Sequence, residues 1–152
     1  MNDVSTNSLS ITFRKAVDSD ISFLIALRKE TMTEHLLTAG LMYTDEQHIA
    51  RITEHFEDSY IICFDDVSIG LIKLAQFKEK WHIRQLQIAR NYQGRGLGTK
   101  LLTLLQNKAS QIQVPISLNV LFKNPARKLY QRAGFVIVGE NSLEYQMLWR
   151  SK

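Results

Sequence analysis

The sequence has few of the residues that cross-link small extracellular domains. Its 152 residues include one cysteine, Cys63, and two prolines. A single cysteine excludes an internal disulfide framework, and its place in the apolar run Ile62-Cys63-Phe64 favours a buried thiol over a nucleophile. No apolar stretch is long enough to span a bilayer, so we expect no membrane partner. The polar start, residues 1–10, lacks the segments of a secretory signal, which predicts a cytoplasmic protein.

Long runs of one charge are also absent, although the formal net charge is +4. Charged residues make up 22% of the chain with their signs interspersed, which argues against a disordered tail. The cationic residues concentrate from Arg84 onward, so an anion should bind the C-terminal half, unless this is an ordinary solvated surface. Aromatic residues are not interleaved with Lys and Arg as base stacking requires, so we expect no nucleic-acid partner.

The chain length and the 45% apolar content are enough for one domain with its own core. We expect a loose N-terminus over residues 1–9 and a single domain over residues 10–152. No group of His, Cys, Asp and Glu residues has the spacing of metal ligands, which predicts no metal.

Hydrophobic periodicity, caps and turn residues define the order of elements. The predicted elements are a strand over residues 11–17, helices over 21–35 and 44–58, strands over 60–64, 69–77 and 81–88, a helix over 97–109, a strand over 116–122, a short helix from 125, and a hairpin of strands 135–138 and 143–149. The order β-α-α-β-β-β-α-β-α-β-β predicts an α/β (α+β) fold, with a mixed, mostly antiparallel sheet and helices on both faces.

The strand over residues 81–88 changes its hydrophobic phase. Its apolar residues stand first at odd positions, Trp81 and Ile83, and then at even positions, Leu86 and Ile88. One extra residue, a β-bulge at Arg84-Gln85, would keep both pairs on the core side.

Three glycines follow this strand, in Gln93-Gly94-Arg95-Gly96-Leu97-Gly98. Free N–H groups at a helix N-terminus form an anion site, and glycines let a pyrophosphate approach them. Arg95 and Thr99 can add a charge and a hydroxyl. The spacing matches neither a Walker loop nor the G-x-G-x-x-G dinucleotide fingerprint, and a plain turn is the alternative interpretation. A strand, glycine loop, helix and strand form a crossover unit, so the two strands should be parallel.

Two segments resemble signatures of the GNAT superfamily of N-acetyltransferases, in its small single-domain bacterial type. The first resembles a Gln/Arg-x-x-Gly-x-Gly/Ala motif after a strand, with Gln93, Gly96 and Gly98 at its fixed positions. The second, a strand followed by a short helix, is similar to the family at Asn124, Ala126, Leu129-Tyr130 and Gly134-Phe135. The resemblance implies acetyl-CoA as the donor, with its pyrophosphate on the glycine loop and its pantetheine arm along a bulged strand that ends at Ile88.

The resemblance also implies roles for individual residues. The cofactor-binding residues would be Leu86, Gln87, Ile88, Gln93, Gly94, Arg95, Gly96, Leu97, Gly98, Thr99, Asn119, Asn124, Arg127 and Tyr130. The Tyr130 hydroxyl would be the catalytic acid that protonates the departing thiolate, with a core tyrosine as the alternative. Asn124 would bind the pantetheine arm, cap its own helix, or do both.

The general base and the acceptor site are less defined. Many family members have a glutamate on the bulged strand, where this chain has Gln85 and Gln87, whose amides cannot usefully accept a proton. The proton would leave through water or through Glu34, His35, Glu79 or His82. Residues 27–32 are similar to an Arg-x-x-Thr-Met stretch of small bacterial members, which places Arg28, Thr31, Met32, Glu34 and Tyr43 near the acceptor; helix packing is the alternative, and it is favoured for Met32.

We therefore expect acetyl transfer from acetyl-CoA to a primary amine of a small molecule. The alternatives are a protein lysine or N-terminal acetyltransferase and a non-catalytic acyl-CoA-binding module. The terminal hairpin offers an edge strand, with Leu143, Tyr145, Met147 and Trp149 on one face, which favours a homodimer.

Overall fold

The protein is described by a computed structural model over residues 10–152, in which one seven-stranded sheet is flanked by four α-helices. The elements are β1 (Ile11–Lys15), α1 (Ile21–Thr38), α2 (Asp45–Thr53), β2 (Ser59–Phe64), β3 (Val67–Gln76), β4 (Trp81–Ile88), α3 (Leu97–Gln111), β5 (Ile116–Leu121), α4 (Ala126–Arg132), β6 (Val136–Glu140) and β7 (Glu144–Trp149). The predicted order of elements is confirmed. The loose segment predicted over residues 1–9 lies outside the described residues.

The strands lie in the order β1-β2-β3-β4-β5-β7-β6, and all neighbours are antiparallel except β4 and β5. This confirms the predicted mixed sheet and its parallel pair. The β-bulge is also confirmed, because Lys73 pairs with Gln85 while Leu74 pairs with Ile83, which leaves Arg84 as the extra residue of β4. The bulge keeps Leu86 on the same side as Ile83.

Helices cover both faces of the sheet, as predicted. On one face α3 packs through Leu101, Leu102 and Leu105 against the largest apolar cluster, which Tyr130 of α4 also joins. On the other face α1 and α2 pack through Leu24, Leu27 and Ile52 against Ile61 and Leu71. Cys63 is buried in this second cluster.

Helix α2 is shorter than the sequence predicted. Thr44 and Gln47 form the predicted capping box at its start. The helix nevertheless ends at Thr53 rather than near Asp58, because Glu54 is extended and His55 adopts a left-handed conformation with φ of 53°. A 3-10 turn then leads into β2.

The predicted edge position of the strand over residues 143–149 is wrong. Strand β7 lies between β5 and β6, so both of its sides are paired, and β6 forms the edge. The physical reason is that β7 pairs along its whole length with β5, from Glu144 to Trp149, while the hairpin places β6 on its other side. Within residues 10–152, no helix combines the length and the apolar character that a membrane crossing requires.

Candidate functional site

Strands β4 and β5 separate partway along their length. They pair only between residues 81–83 of β4 and 116–118 of β5, while β5 stays paired with β7 as far as Leu121. Beyond Ile83, therefore, no strand of residues 10–152 lies beside the bulged half of β4 on its β5 side. Apart from the Ile88 carbonyl, which accepts a hydrogen bond from Gln93, backbone groups along this opening lack a strand partner within residues 10–152 and can bind an extended polar ligand.

The glycine loop lies at the end of this opening. Gly94 and Gly96 have φ of 74° and 77°, a conformation that glycine adopts without steric cost. Helix α3 begins at Leu97 with no side-chain cap, and its first intrahelical hydrogen bond joins the Lys100 N–H to the Gly96 carbonyl. The N–H groups of the first turn of α3 are therefore available, and together with the helix dipole they suit a pyrophosphate.

Side chains around the loop fix its position. The Gln93 amide nitrogen donates a hydrogen bond of 2.8 Å to the Ile88 carbonyl oxygen at the end of β4. The Arg95 guanidinium carbon lies 5.1 Å from the centre of the Tyr92 ring. The loop is thus held to the strand from which it emerges, and one of its cations is held near an aromatic ring.

A cavity of about 410 Å³ joins the loop, the opened strand and α1. Its lining residues are Thr31, Met32, His35, Leu86, Gln87, Ile88, Tyr92, Gln93, Gly94, Gly96, Gly98, Thr99, Asn124, Pro125, Ala126, Leu129, Tyr130 and Arg132. Most of the predicted cofactor residues therefore border one space, although they come from three separate elements.

Tyr130 projects from α4 into the wall of this cavity and is 7% exposed. Its ring makes an edge contact with Phe135, with ring centres 5.9 Å apart. Burial raises the pKa of the Tyr130 hydroxyl to about 12. The hydroxyl therefore stays protonated at neutral pH and is available as a donor.

Asn124 caps the short helix α4. Its side-chain oxygen accepts a hydrogen bond of 2.9 Å from the Ala126 N–H, which is the capping role considered from the sequence. Asn124 also lines the cavity, so its amide nitrogen is the part that remains for a ligand.

Some predicted cofactor residues lie outside the cavity wall. Leu97 is in the core, and Arg95 rests near Tyr92. Asn119 is exposed and pairs with Gln146 on β7. Alternation along β5 puts Asn119 on the face opposite Leu118, which is buried in the core below α3.

Arg127 is also outside the cavity wall. Its guanidinium carbon lies 5.1 Å from the centre of the Tyr145 ring. Its position on α4 therefore turns the side chain toward β7 rather than toward the glycine loop.

The predicted acceptor residues divide between the cavity and its surroundings. Thr31 and Met32 line the cavity from α1. Glu34 is exposed and faces Arg90 at 3.7 Å, beside the glycine loop. Arg28 is 3% exposed and lies 5.6 Å from the centre of the Tyr43 ring.

Of the four residues considered as the proton acceptor, His35 is the one that lines the cavity. Glu34 is beside Arg90, and Glu79 lies in the turn at the far end of β4. His82 bonds the Ser117 hydroxyl at 2.7 Å where β4 and β5 are still paired, and burial lowers its pKa. The bulged strand itself contributes Gln87, whose side-chain oxygen is buried without a hydrogen-bond partner among residues 10–152.

The sequence did not single out two polar residues of the cavity wall, Tyr92 and Arg132. Tyr92 belongs to the 3-10 turn before the loop, and Arg132 ends helix α4. The local excess of Arg and Lys was the one sequence signal for Arg132.

One group of potential metal donors has no sequence signature of metal binding. The donor atoms of His55, Glu57 and Asp58 lie within 4.8 Å of one another. Asp58 is already in an ion pair of 3.0 Å with Arg84, and the other two side chains are exposed. The group lies outside the cavity, and we assign it no metal.

Comparison with known proteins supports the same fold. No curated protein matches the chain. The PaiA N-acetyltransferase from Thermoplasma acidophilum, solved with coenzyme A, has a TM-score of 0.73 at 20% identity, over 94% of this chain and 100% of that one. Arabidopsis thaliana Naa50, solved with the bisubstrate analogue CoA-Ac-MVNAL, has a TM-score of 0.66 at 20% identity, over 94% and 100%.

A third similar structure is N-acetylglutamate synthase from Neisseria gonorrhoeae with coenzyme A and N-acetyl-glutamate. Its TM-score is 0.65 at 19% identity, over 93% of this chain and 35% of that one. At these identities the similarity shows the fold. A family model of the acetyltransferase (GNAT) domain matches residues 27–149, so the chain belongs to the GNAT acetyltransferase family, whose acetyl donor is acetyl-CoA.

Proposed function

We propose that the protein transfers an acetyl group from acetyl-CoA to a primary amine of a small molecule. The observation that carries this proposal is the single cavity of about 410 Å³ that connects the glycine loop, the opened edge of β4 and the α1 residues Thr31, Met32 and His35. Donor and acceptor can therefore meet in one continuous space, which is what direct transfer between them requires.

The loop and the strand bind and orient the donor. The first-turn N–H groups of α3 hold the pyrophosphate, and Arg132 supplies a cation at the same cavity wall. The free backbone groups near Gln87 and Ile88 hold the pantetheine arm and polarise the thioester carbonyl. Acetyl-CoA supplies the acetyl group as a thioester, from which its sulfur leaves as a thiolate.

Two side chains transfer the protons of the reaction, one as a donor and one as an acceptor. Tyr130, kept protonated by burial, donates a proton to the departing sulfur. His35 takes the proton of the acceptor amine directly or through a water molecule, because no carboxylate is found on the wall of the cavity within residues 10–152. The amine nitrogen thus forms the amide bond as the carbon–sulfur bond breaks.

A protein acceptor is the second candidate, and one observation favours it. The connection between α1 and α2 is only residues 39–44, so little chain is available to close over the acceptor end. A non-catalytic acyl-CoA-binding module is the third, supported by glutamines instead of a glutamate on β4. Acetylated products from a broad amine panel, detected by mass spectrometry, would count against the third candidate.

The test of the donor site is calorimetric titration with acetyl-CoA. Gly96→Glu puts bulk and negative charge among the phosphate-binding groups and should abolish binding. Gly40→Glu is the matched control, because Gly40 also has a positive φ and no atom within 4 Å of its would-be Cβ, but it lies in the α1–α2 connection. Loss of binding in Gly96→Glu alone supports the loop as the phosphate site. No binding by the folded natural protein overturns the proposal.

A further inference from the structure

Arg28 is a buried cation without a counterion. The residue is 3% exposed, and its Nε atom is buried with no hydrogen-bond partner among residues 10–152. The ion pairs formed in this part of the chain do not include it. A buried guanidinium without an anion is unfavourable, so buried arginines are ordinarily paired.

The neighbouring buried cation, Lys73, is stabilised by hydrogen-bond acceptors of the fold. It is 1% exposed, and its ammonium group donates hydrogen bonds to carbonyl oxygens at the end of α2, among them those of Arg51 at 2.8 Å and Ile52 at 2.9 Å. Lys73 therefore has its acceptors within the fold. Arg28, in the same layer between the sheet and the first two helices, does not.

The groups around Arg28 do not neutralise it. The Tyr43 ring offers a face 5.6 Å away, and His48 packs on that ring with centres 5.5 Å apart. Burial, and after it the nearby Arg51, lowers the pKa of Arg28 to about 10. At neutral pH the side chain is therefore still a cation in a region of positive potential.

Arg28 shares a helix face with the cavity wall. Thr31 and Met32, three and four positions later on α1, both line the cavity. Gln87 lines the same cavity from β4, and its side-chain oxygen is a buried hydrogen-bond acceptor without a donor in the described chain. The cavity wall over residues 10–152 thus offers an unpaired neutral acceptor and contains no Asp or Glu, while the unpaired cation of Arg28 lies one helical turn before its α1 residues.

We propose that the acceptor is an amine that also carries a carboxylate, as a free amino acid does, with Arg28 binding the carboxylate and Gln87 accepting a hydrogen bond from the amine. This inference rests on the proposed acetyl transfer. Polyamines and the lysine or N-terminal amine of a protein lack such a carboxylate and leave Arg28 unpaired. The site therefore selects small amino acids over both.

The first experiment compares acids with their primary amides. Methionine, phenylalanine and 4-aminobutanoate are each paired with the corresponding amide, and kcat/KM is measured with saturating acetyl-CoA. The natural protein should prefer at least one acid by about tenfold or more, since a charge-assisted hydrogen bond to a buried group has roughly that effect. Amidation of an α-amino acid lowers the pKa of its amine, so a larger fraction of the amide is present as the neutral nucleophile. By amine reactivity alone the two α-amino amides should therefore react faster than their acids, and a preference for the acid must come from binding of the carboxylate.

The second experiment changes Arg28. Arg28→Met should lower kcat/KM for the preferred acid by about tenfold to a hundredfold, mainly through KM, and change the value for its amide by less than about threefold. Arg28→Lys keeps the charge but loses the planar fork, and should recover part of the loss. The control is Lys29→Met on the same helix, where Lys29 pairs with Asp45 at 2.8 Å and is partly exposed.

A measurement of unfolding separates recognition from a structural role. Arg28→Met should leave the melting temperature unchanged or raise it, because a methionine does not require a counterion. The preferred acid should raise the melting temperature of the natural protein loaded with coenzyme A, but not that of Arg28→Met.

Each outcome decides the proposal. Equal use of acids and amides by the natural protein overturns it while the acetyltransferase function stands, and so does an equal loss on acids and amides in Arg28→Met. If no amine is acetylated, the proposed function fails, and the thermal shift decides the carboxylate site by itself: a shift dependent on Arg28 supports it, and none overturns it.

Discussion

The side-chain nitrogen of Gln93 donates a hydrogen bond of 2.8 Å to the carbonyl oxygen of Ile88. This contact ties the first residue of the glycine loop to the last residue of the strand along which we propose that the donor lies. The two parts of the proposed donor site, one for phosphate and one for the thioester arm, therefore keep a fixed separation. Preorganisation of this kind increases affinity without a direct contact to the ligand.

Replacing Gln93 by alanine should weaken acetyl-CoA binding by about two- to tenfold, the value of one ordinary hydrogen bond. Calorimetry measures the affinity, and thermal unfolding measures the stability, which should change little because Gln93 is exposed. Gln106→Ala is the control. Gln106 donates a similar bond of 2.7 Å to the Ala133 carbonyl, away from the loop, so it should affect stability more than affinity. Unchanged affinity in Gln93→Ala would show that the loop holds its shape without this bond.

Tyr130→Phe should lower kcat by about tenfold to a hundredfold and leave the dissociation constant of acetyl-CoA nearly unchanged, because it removes only the proton donor. Release of free thiol in a single turnover measures the chemical step. The control is Tyr145→Phe, since Tyr145 packs against Phe122 outside the cavity wall. Full activity in Tyr130→Phe would reduce Tyr130 to a packing partner of Phe135.

His35→Gln should lower kcat by about tenfold or more at neutral pH, because the amide cannot take the amine proton. The matched control is His55→Asn, which changes an exposed histidine outside the cavity and keeps a residue type suited to its left-handed backbone. If both variants keep the natural rate, the proton leaves through water alone, and His35 only borders the site.

Local patterns were enough to predict most of the framework. The phase change from Ile83 to Leu86 predicted the bulge, and the loop glycines predicted the helix N-terminus, because each depends on residues that are adjacent in sequence. The end of α2 was mispredicted. Lys73 holds its terminal carbonyls from about twenty positions away, and a contact at that distance leaves no local pattern.

The sequence also predicted those site residues that belong to a local motif. Gln93 and Gly96 belong to a local motif and line the cavity, as the resemblance implied. Asn119 and Arg127 were included because they are near the second signature, but β-strand alternation and helix phase turn them away from the cavity. The unpaired charge of Arg28 has no sequence signature, because the lack of a counterion near this side chain is a property of three-dimensional packing.

The stability of the protein should rise between about pH 8 and pH 10.5 through Lys73. Burial lowers the pKa of Lys73 to about 8, from about 10.5 in the unfolded chain. Arg51, Arg28 and Arg84 add to the lowering, while Glu54 opposes it. Below pH 8 the amine is protonated in both states, and the cost of burying the charge is fully present. As the pH rises from 8 to 10.5, the unfolded state holds more protons, so unfolding becomes less favourable.

The measurement is urea unfolding of the natural protein and of Lys73→Met at pH 7, 8, 9 and 10. The difference in unfolding free energy, natural protein minus variant, should increase with pH by on the order of 1–3 kcal/mol. The variant removes this one titration and leaves the other ionisable groups in place. A difference that stays flat or falls with pH would mean that the carbonyl contacts of Lys73 keep its ammonium group charged throughout this range.

The free edge of β6 should mediate self-association. Val136, Ile137 and Val138 are 58%, 42% and 60% exposed on a strand whose outer backbone groups have no partner strand among residues 10–152. Exposed apolar residues on an open edge favour pairing with a second copy.

Light scattering at micromolar concentration should give twice the chain mass of 17.5 kDa. Val138→Lys should return the protein to a monomer, whereas Val67→Lys, which changes a valine 49% exposed at the start of β3, should not. A natural protein that scatters as one chain would mean that the bulge between Ile137 and Gly139 is enough to keep this edge from pairing.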